Sequence, residues 1–157
     1  MLIIPRRMEI SKWAKFGIIN GLIHILFLGV IIGISAIALF SFIDINLVTS
    51  MLGANVDILV PYLAGSLALL FVSTLLTSVV FWTLGSIIYY FIKSAISSFS
   101  NFWQMLIVGT VLTIVSSLLM GTLGMSIIMN FIFLGIDVLI TLKIIKFLGL
   151  KKYIPIN

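Results

Sequence analysis

Residues 60–93 read VPYLAGSLALLFVSTLLTSVVFWTLGSIIYYFIK, an apolar run with no charged side chain before Lys93. As one helix, Val60 to Ile92 would be about 50 Å long at 1.5 Å per residue, against a hydrocarbon core of about 30 Å. Two short spans joined by a hidden turn would also account for that length. Charge decides between them. If the run crosses a membrane once, all nine lysines and arginines fall on one side. If it crosses twice, Lys93 and the four C-terminal lysines move to the opposite side. The positive-inside rule therefore predicts a single crossing, tilted or protruding, with Pro61 near its start and a bend near Gly85.

Working outward, Arg6, Arg7, Lys12 and Lys15 precede the first long apolar run, and Lys143, Lys146, Lys151 and Lys152 follow the last. The loop 43–59 carries Asp44, Asn46, Gly53, Asn55 and Asp57 but no lysine or arginine, as an outside loop should. The pattern predicts an all-α, polytopic membrane protein: a bundle of four transmembrane helices with both termini cytoplasmic. The spans are expected at about 16–42, 60–92, 105–120 and 126–147. A basic amphipathic lead (1–15), suited to the headgroup layer, precedes this transmembrane domain (16–148), and a basic cytoplasmic tail (149–157) follows it. The serine-rich connection Lys93–Gln104 reads as an interfacial helical turn or two. Gly121 and Gly124 suit a tight outside turn between the last two spans.

Composition agrees. The chain is 62% hydrophobic and 8% charged, with a mean hydropathy of +1.39, whereas soluble domains carry about 25% charged residues. The net charge of +5 flanks apolar spans, so membrane lipids rather than nucleic acid are the expected partners. The first apolar run is too long for a signal-peptide core and reads as a retained span. With no cysteine there is no disulfide, thiolate nucleophile or thiolate metal site.

Asp137 is the residue most suggestive of chemistry. It sits near the centre of the fourth span, where a carboxylate costs about 2.5–3.5 kcal/mol on insertion scales, so it should face the bundle and find a partner. His24 is the candidate. From the helical rise, His24 and Asp137 lie about 11 and 15 Å above the inner boundary, within reach if the first and fourth helices are neighbours. The pair suits a proton relay or polar substrate site. It also suits a buried hydrogen bond that sets helix register, with Thr141 one turn along helping to satisfy the carboxyl. One acid and one histidine favour the register reading.

In the first span, Gly17/Gly21 and Gly29/Gly33 have the four-residue spacing that admits a neighbouring helix. Arg6, Arg7, Lys12, Lys15, Lys93, Lys143 and Lys146 are placed to meet lipid headgroups, the last two by snorkelling. Tyr89, Tyr90, Trp103 and Tyr153 read as an interfacial aromatic belt, with Trp82 deeper and used for packing. The hydroxyls Ser73, Thr74, Thr77, Ser78, Thr110, Thr113, Ser116 and Ser117 can bond the preceding turn or a neighbouring helix. There is no HExxH, no phosphate-binding glycine loop and no GxSxG, so neither an enzyme nor a metal or other cofactor is expected.

The opening IIPRRMEISKWAKFGIINGLIHI and the stretch FWTLGSIIYYFIKSAISSFSNFWQMLIVG resemble small prokaryotic members of the Yip1-domain membrane family. The first is similar to that family's proline-plus-basic lead entering a glycine-punctuated span, the second to its span–connection–span order. This chain lacks the paired glycines and the tyrosine–proline element common there, and charge counting gives it four spans rather than five. The resemblance implies a non-enzymatic scaffold or complex subunit, acting through contacts with lipids and with a membrane-protein partner. The alternative is a small homo-oligomeric transporter or channel using Asp137 with His24.

Overall fold

The computed structural model describes residues 7–42, 50, 53, 56–119 and 126–156. These are almost entirely helical: α1 (Arg7–Phe42), α2 (Val56–Ile96), α3 (Asn101–Leu119), α4 (Ser126–Phe147) and a short 3-10 turn at Lys151–Tyr153. Among the described residues, three stretches are long and apolar enough to cross a membrane: Glu9–Ala38, Pro61–Ile96 and Asn101–Leu118. The fourth helix has 22 residues and carries Asp137, Lys143 and Lys146. Asp44, Asn46, Asn55, Gly121, Gly124 and Arg6 lie outside the described residues.

The 60–92 run belongs to one helix of 41 residues, continuous through Gly85. Pro61 lies in its second turn, where the missing N–H removes a single hydrogen bond near the helix start. Two boundaries differ from expectation. Asp57 belongs to the first turn of α2 rather than to the preceding loop. At the other end α2 runs past Lys93 to Ile96, since a lysine in the last turn suits the negative end of the helix dipole. The connection narrows to residues 97–100. Phe99 N–H bonds the Ile96 carbonyl at 3.0 Å, and the Ser100 carbonyl accepts Gln104 N–H at 3.0 Å to start α3. Likewise, α1 starts at Arg7, so lead and first apolar run share one helix.

α1 and α2 pack antiparallel, α3 and α4 pack antiparallel beside them, and α4 also touches α1. The start of α1, the end of α2, the start of α3 and the end of α4 meet at one end of the bundle. There the core is densest. Trp13 stacks on Trp82 at 6.1 Å between centroids and tilts against Tyr89 at 5.5 Å; Phe16 meets Trp82 edge-on at 4.9 Å. Such pairs add about 0.5–1.5 kcal/mol each beyond their packing. Met105, Val108, Val138 and Ile145 complete this cluster.

Residues 148–156 return to it. Gly149, with φ of +69°, occupies the left-handed position after α4. Its N–H bonds the Lys146 carbonyl at 3.2 Å and Leu150 N–H bonds that of Ile145 at 2.9 Å, the paired closure of a Schellman motif. The reversal buries Ile154 and Ile156 in the aromatic cluster, and Asn101 Nδ2 donates to the Ile156 carbonyl at 2.9 Å. Basic groups collect at the same end: Lys15 and Lys152 lie 5.7 and 5.1 Å from the Tyr153 ring, and Lys93 lies 5.0 Å from that of Tyr90. Away from this end the helices are bare, with Leu26, Ile34 and Ile37 on α1 and Tyr62 and Leu69 on α2 exposed.

Candidate functional site

Helical spacing puts Gly17, Asn20, Gly21 and His24 on one face of α1. The glycines bring the α2 backbone in. A Cβ at Gly17 would lie 2.8 Å from Val79 Cα and 2.9 Å from the Ser78 carbonyl oxygen; at Gly21 it would lie 3.1 Å from Leu75 Cα. This approach lets Ser78 Oγ reach the Gly17 carbonyl at 2.9 Å and Asn20 Oδ1 at 2.7 Å, its single hydrogen being shared between the two.

Asn20 is the hub. Trp82 Nε1, which can only donate, bonds Asn20 Oδ1 at 3.0 Å and so fixes which way the amide faces. Both amide hydrogens then point at α4, where Nδ2 donates to Asp137 Oδ2 at 2.8 Å and to Thr141 Oγ1 at 2.9 Å. The other carboxylate oxygen, Asp137 Oδ1, lies 2.8 Å from His24 Nε2. Asn20 and Thr141 are 1% and 0% exposed. The Asp137 side chain is 16% exposed and that of His24 42%, so the network grades from sealed to open toward the histidine.

What it opens onto is a cavity of about 560 Å³ lined by all four helices. Asn20 and His24 contribute from α1, and Ser73, Thr74, Thr77, Ser78, Phe81 and Trp82 from α2. Thr113 and Ser116 come from α3; Asn130, Phe133, Leu134 and Asp137 from α4. Several of these hydroxyls also bond their own helix, Ser73 and Thr74 to the Leu70 carbonyl, Thr113 to that of Gly109 and Ser116 to that of Thr113. Each retains lone pairs for a guest. Toward the basic end the cavity stops at the Asn20 network, below which the aromatic cluster fills the bundle.

The structure thus brings the expected pair, Asp137 and His24, into contact. Thr141, expected to help the carboxyl, instead accepts from Asn20. Gly17 and Gly21 sit at a helix seam, whereas a Cβ at Gly29 or Gly33 would meet nothing within 4 Å. Trp82 packs as expected and also donates into the network. Lys15, Lys93, Lys143 and Lys146 are exposed and Lys12 is half-buried; Arg7 contributes its backbone to the first turn of α1. Asn20 is the residue that sequence reasoning passed over. Its signal was an amide in an apolar helix, three residues from Gly17 and four from His24. Among the described residues no group of three or more histidine, aspartate or glutamate side chains could hold a metal ion. No family model, curated protein or solved structure matches the chain.

Proposed function

We propose that this chain is a four-span integral membrane protein with both termini cytoplasmic, whose central cavity is a small-molecule site of transporter or channel type. The observation that carries this reading is the polar cavity reaching the Asp137–His24 pair. A helix-packing role alone requires a satisfied carboxyl but no room beside it. Here the carboxyl has partners on both oxygens and also borders about 560 Å³ of hydroxyl-lined space, within the range of ligand pockets. Asp137 and His24 form the base of the site, and Asn20 positions the carboxylate. The gathering of lysines at the plugged end supports a cytoplasmic assignment for that end and leaves the cavity on the outer side. Release toward the cytoplasm then requires the Trp13–Phe16–Trp82 plug to part.

Proton flux into liposomes that hold the purified protein and are loaded with an organic cation, benzyltrimethylammonium, tests this. The expected outcome is a flux that Asp137→Asn reduces at least about tenfold, the scale of losing one essential proton-carrying group. Equal flux from both proteins, in bilayers where protein-free controls are tight, would remove Asp137 from the pathway.

A second reading, a scaffold or complex subunit, draws on the bare outer halves of α1 and α2 and on the vacant space over Gly29 and Gly33. It fits the Yip1-like order of features and predicts altered assembly when Gly29 is replaced by tryptophan.

A further inference from the structure

Resting on the small-molecule reading of the cavity, we propose that its guest is a small organic cation that docks on Asp137 in exchange for a proton. Among the described residues the walls carry one carboxylate and no lysine or arginine. The one basic group there for an anion is His24, whose Nε2 is already engaged by Asp137 at 2.8 Å; Asn130 and the hydroxyls would offer it only neutral donors. A cation meets the carboxylate, the π-systems of Phe81 and Phe133, and hydroxyls that offer lone pairs. The volume of about 560 Å³ far exceeds an inorganic ion and matches an amine-bearing molecule.

The graded burial says which partner gives way. Asn20 is held from both sides by α2 and α4, and stays. His24 has one bond to the carboxylate, lines the cavity and has 42% of its side chain exposed, so it is the exchangeable neighbour.

Proton balance follows from the pair. His24 and Asp137 sharing one proton carry no net charge, the arrangement favoured where dielectric is low. Among the described residues, α2 and α3 present only hydroxyls and aromatic rings to the pair, and α1 and α4 add no further ionisable group to the cavity. A monovalent cation on the Asp137 carboxylate keeps the site neutral only if the shared proton leaves. It passes from the pair to water through the open cavity, one proton out for each cation in.

Calorimetric titration of the full chain in lipid nanodiscs, with benzyltrimethylammonium, benzyl alcohol and benzoate as size-matched probes, tests this. The cation carries a fixed charge, so any pH dependence belongs to the protein. The expected result is cation binding at least about tenfold tighter than either other probe, weakening about tenfold per pH unit on acidification. Titration in two buffers of different ionisation heat should show one proton released per cation. Asp137→Asn should abolish binding; should that variant not fold, Thr77→Phe fills the cavity without altering the network and should do the same. Preference for benzoate or benzyl alcohol, or cation binding without proton release, overturns the exchange while leaving a ligand cavity. Failure of all three probes to bind overturns the cavity reading as well.

Discussion

The two halves of α1 carry the same four-residue glycine spacing and meet different surroundings. At Gly17 the α2 backbone comes so near that a methyl group would clash, and at Gly21 a methyl group would press on Leu75; around Gly29 and Gly33 nothing approaches within 4 Å. The difference lies in what stands between the pairs. The first pair brackets Asn20, whose amide ties α1 to Ser78 and Trp82 on α2 and to Asp137 and Thr141 on α4. The second brackets only apolar side chains. A small-residue stripe permits close approach; in this chain the polar group beside it determines where approach occurs. Between helices surrounded by lipid that division is expected, because burying hydrocarbon in hydrocarbon gives little preference for one site over another.

Removing the hub should break the comparison most severely. Asn20→Leu leaves the Trp82 N–H and an Asp137 oxygen without their partner, and should destabilise the fold by about 3 kcal/mol, as unsatisfied buried groups do. Denaturant unfolding in detergent, followed by the fluorescence of Trp13 and Trp82, reads this directly. An unchanged midpoint would show that Asn20 does not organise the seam. Next comes Gly17→Ala, which should destabilise by about 2 kcal/mol, since the obstructing atoms are backbone and the helices themselves must separate. The smallest effect is expected at Gly29→Ala and Gly33→Ala. With no neighbour to meet, both should lie within about 0.5 kcal/mol of the parent or slightly above it, from the better helix propensity of alanine. A loss there comparable to that at Gly17 would reveal a contact over the outer half that the isolated chain lacks.

Charge and hydropathy made much of this legible. The fourth apolar segment begins and ends where α4 does, the first ends where α1 does, and the charge count chose one helix rather than two for the second. Depth arithmetic from helical rise brought His24 to Asp137. Hydrophobic runs could not give the true helix ends, because Asp57 and Lys93 are tolerated within helical turns that carry α2 beyond its apolar stretch. The fate of the two glycine pairs was hidden because spacing records the permission for contact and not the partner. The cavity was hidden for a related reason: its walls come from four helices, and its hydroxyls, read singly, also bond their own helix. Asn20 is hard to single out in the sequence because an uncharged amide costs less to insert than a carboxylate, although its four bonds make it the best-connected side chain of the site.

The Asn20 network also has an order in time. Its bonds to Ser78 and Trp82 span 58 and 62 residues of chain, those to Asp137 and Thr141 span 117 and 121. At a synthesis rate of about 5–20 residues per second, the second set becomes available several seconds after the first. An α1–α2 hairpin that zips at Gly17 and Gly21 before α4 is made would hold the amide's oxygen satisfied and its two hydrogens unclaimed. Such a hairpin would carry a waiting donor on the face that α4 must find, and Asp137, a carboxylate expensive to leave alone in lipid, would arrive to a partner already in place.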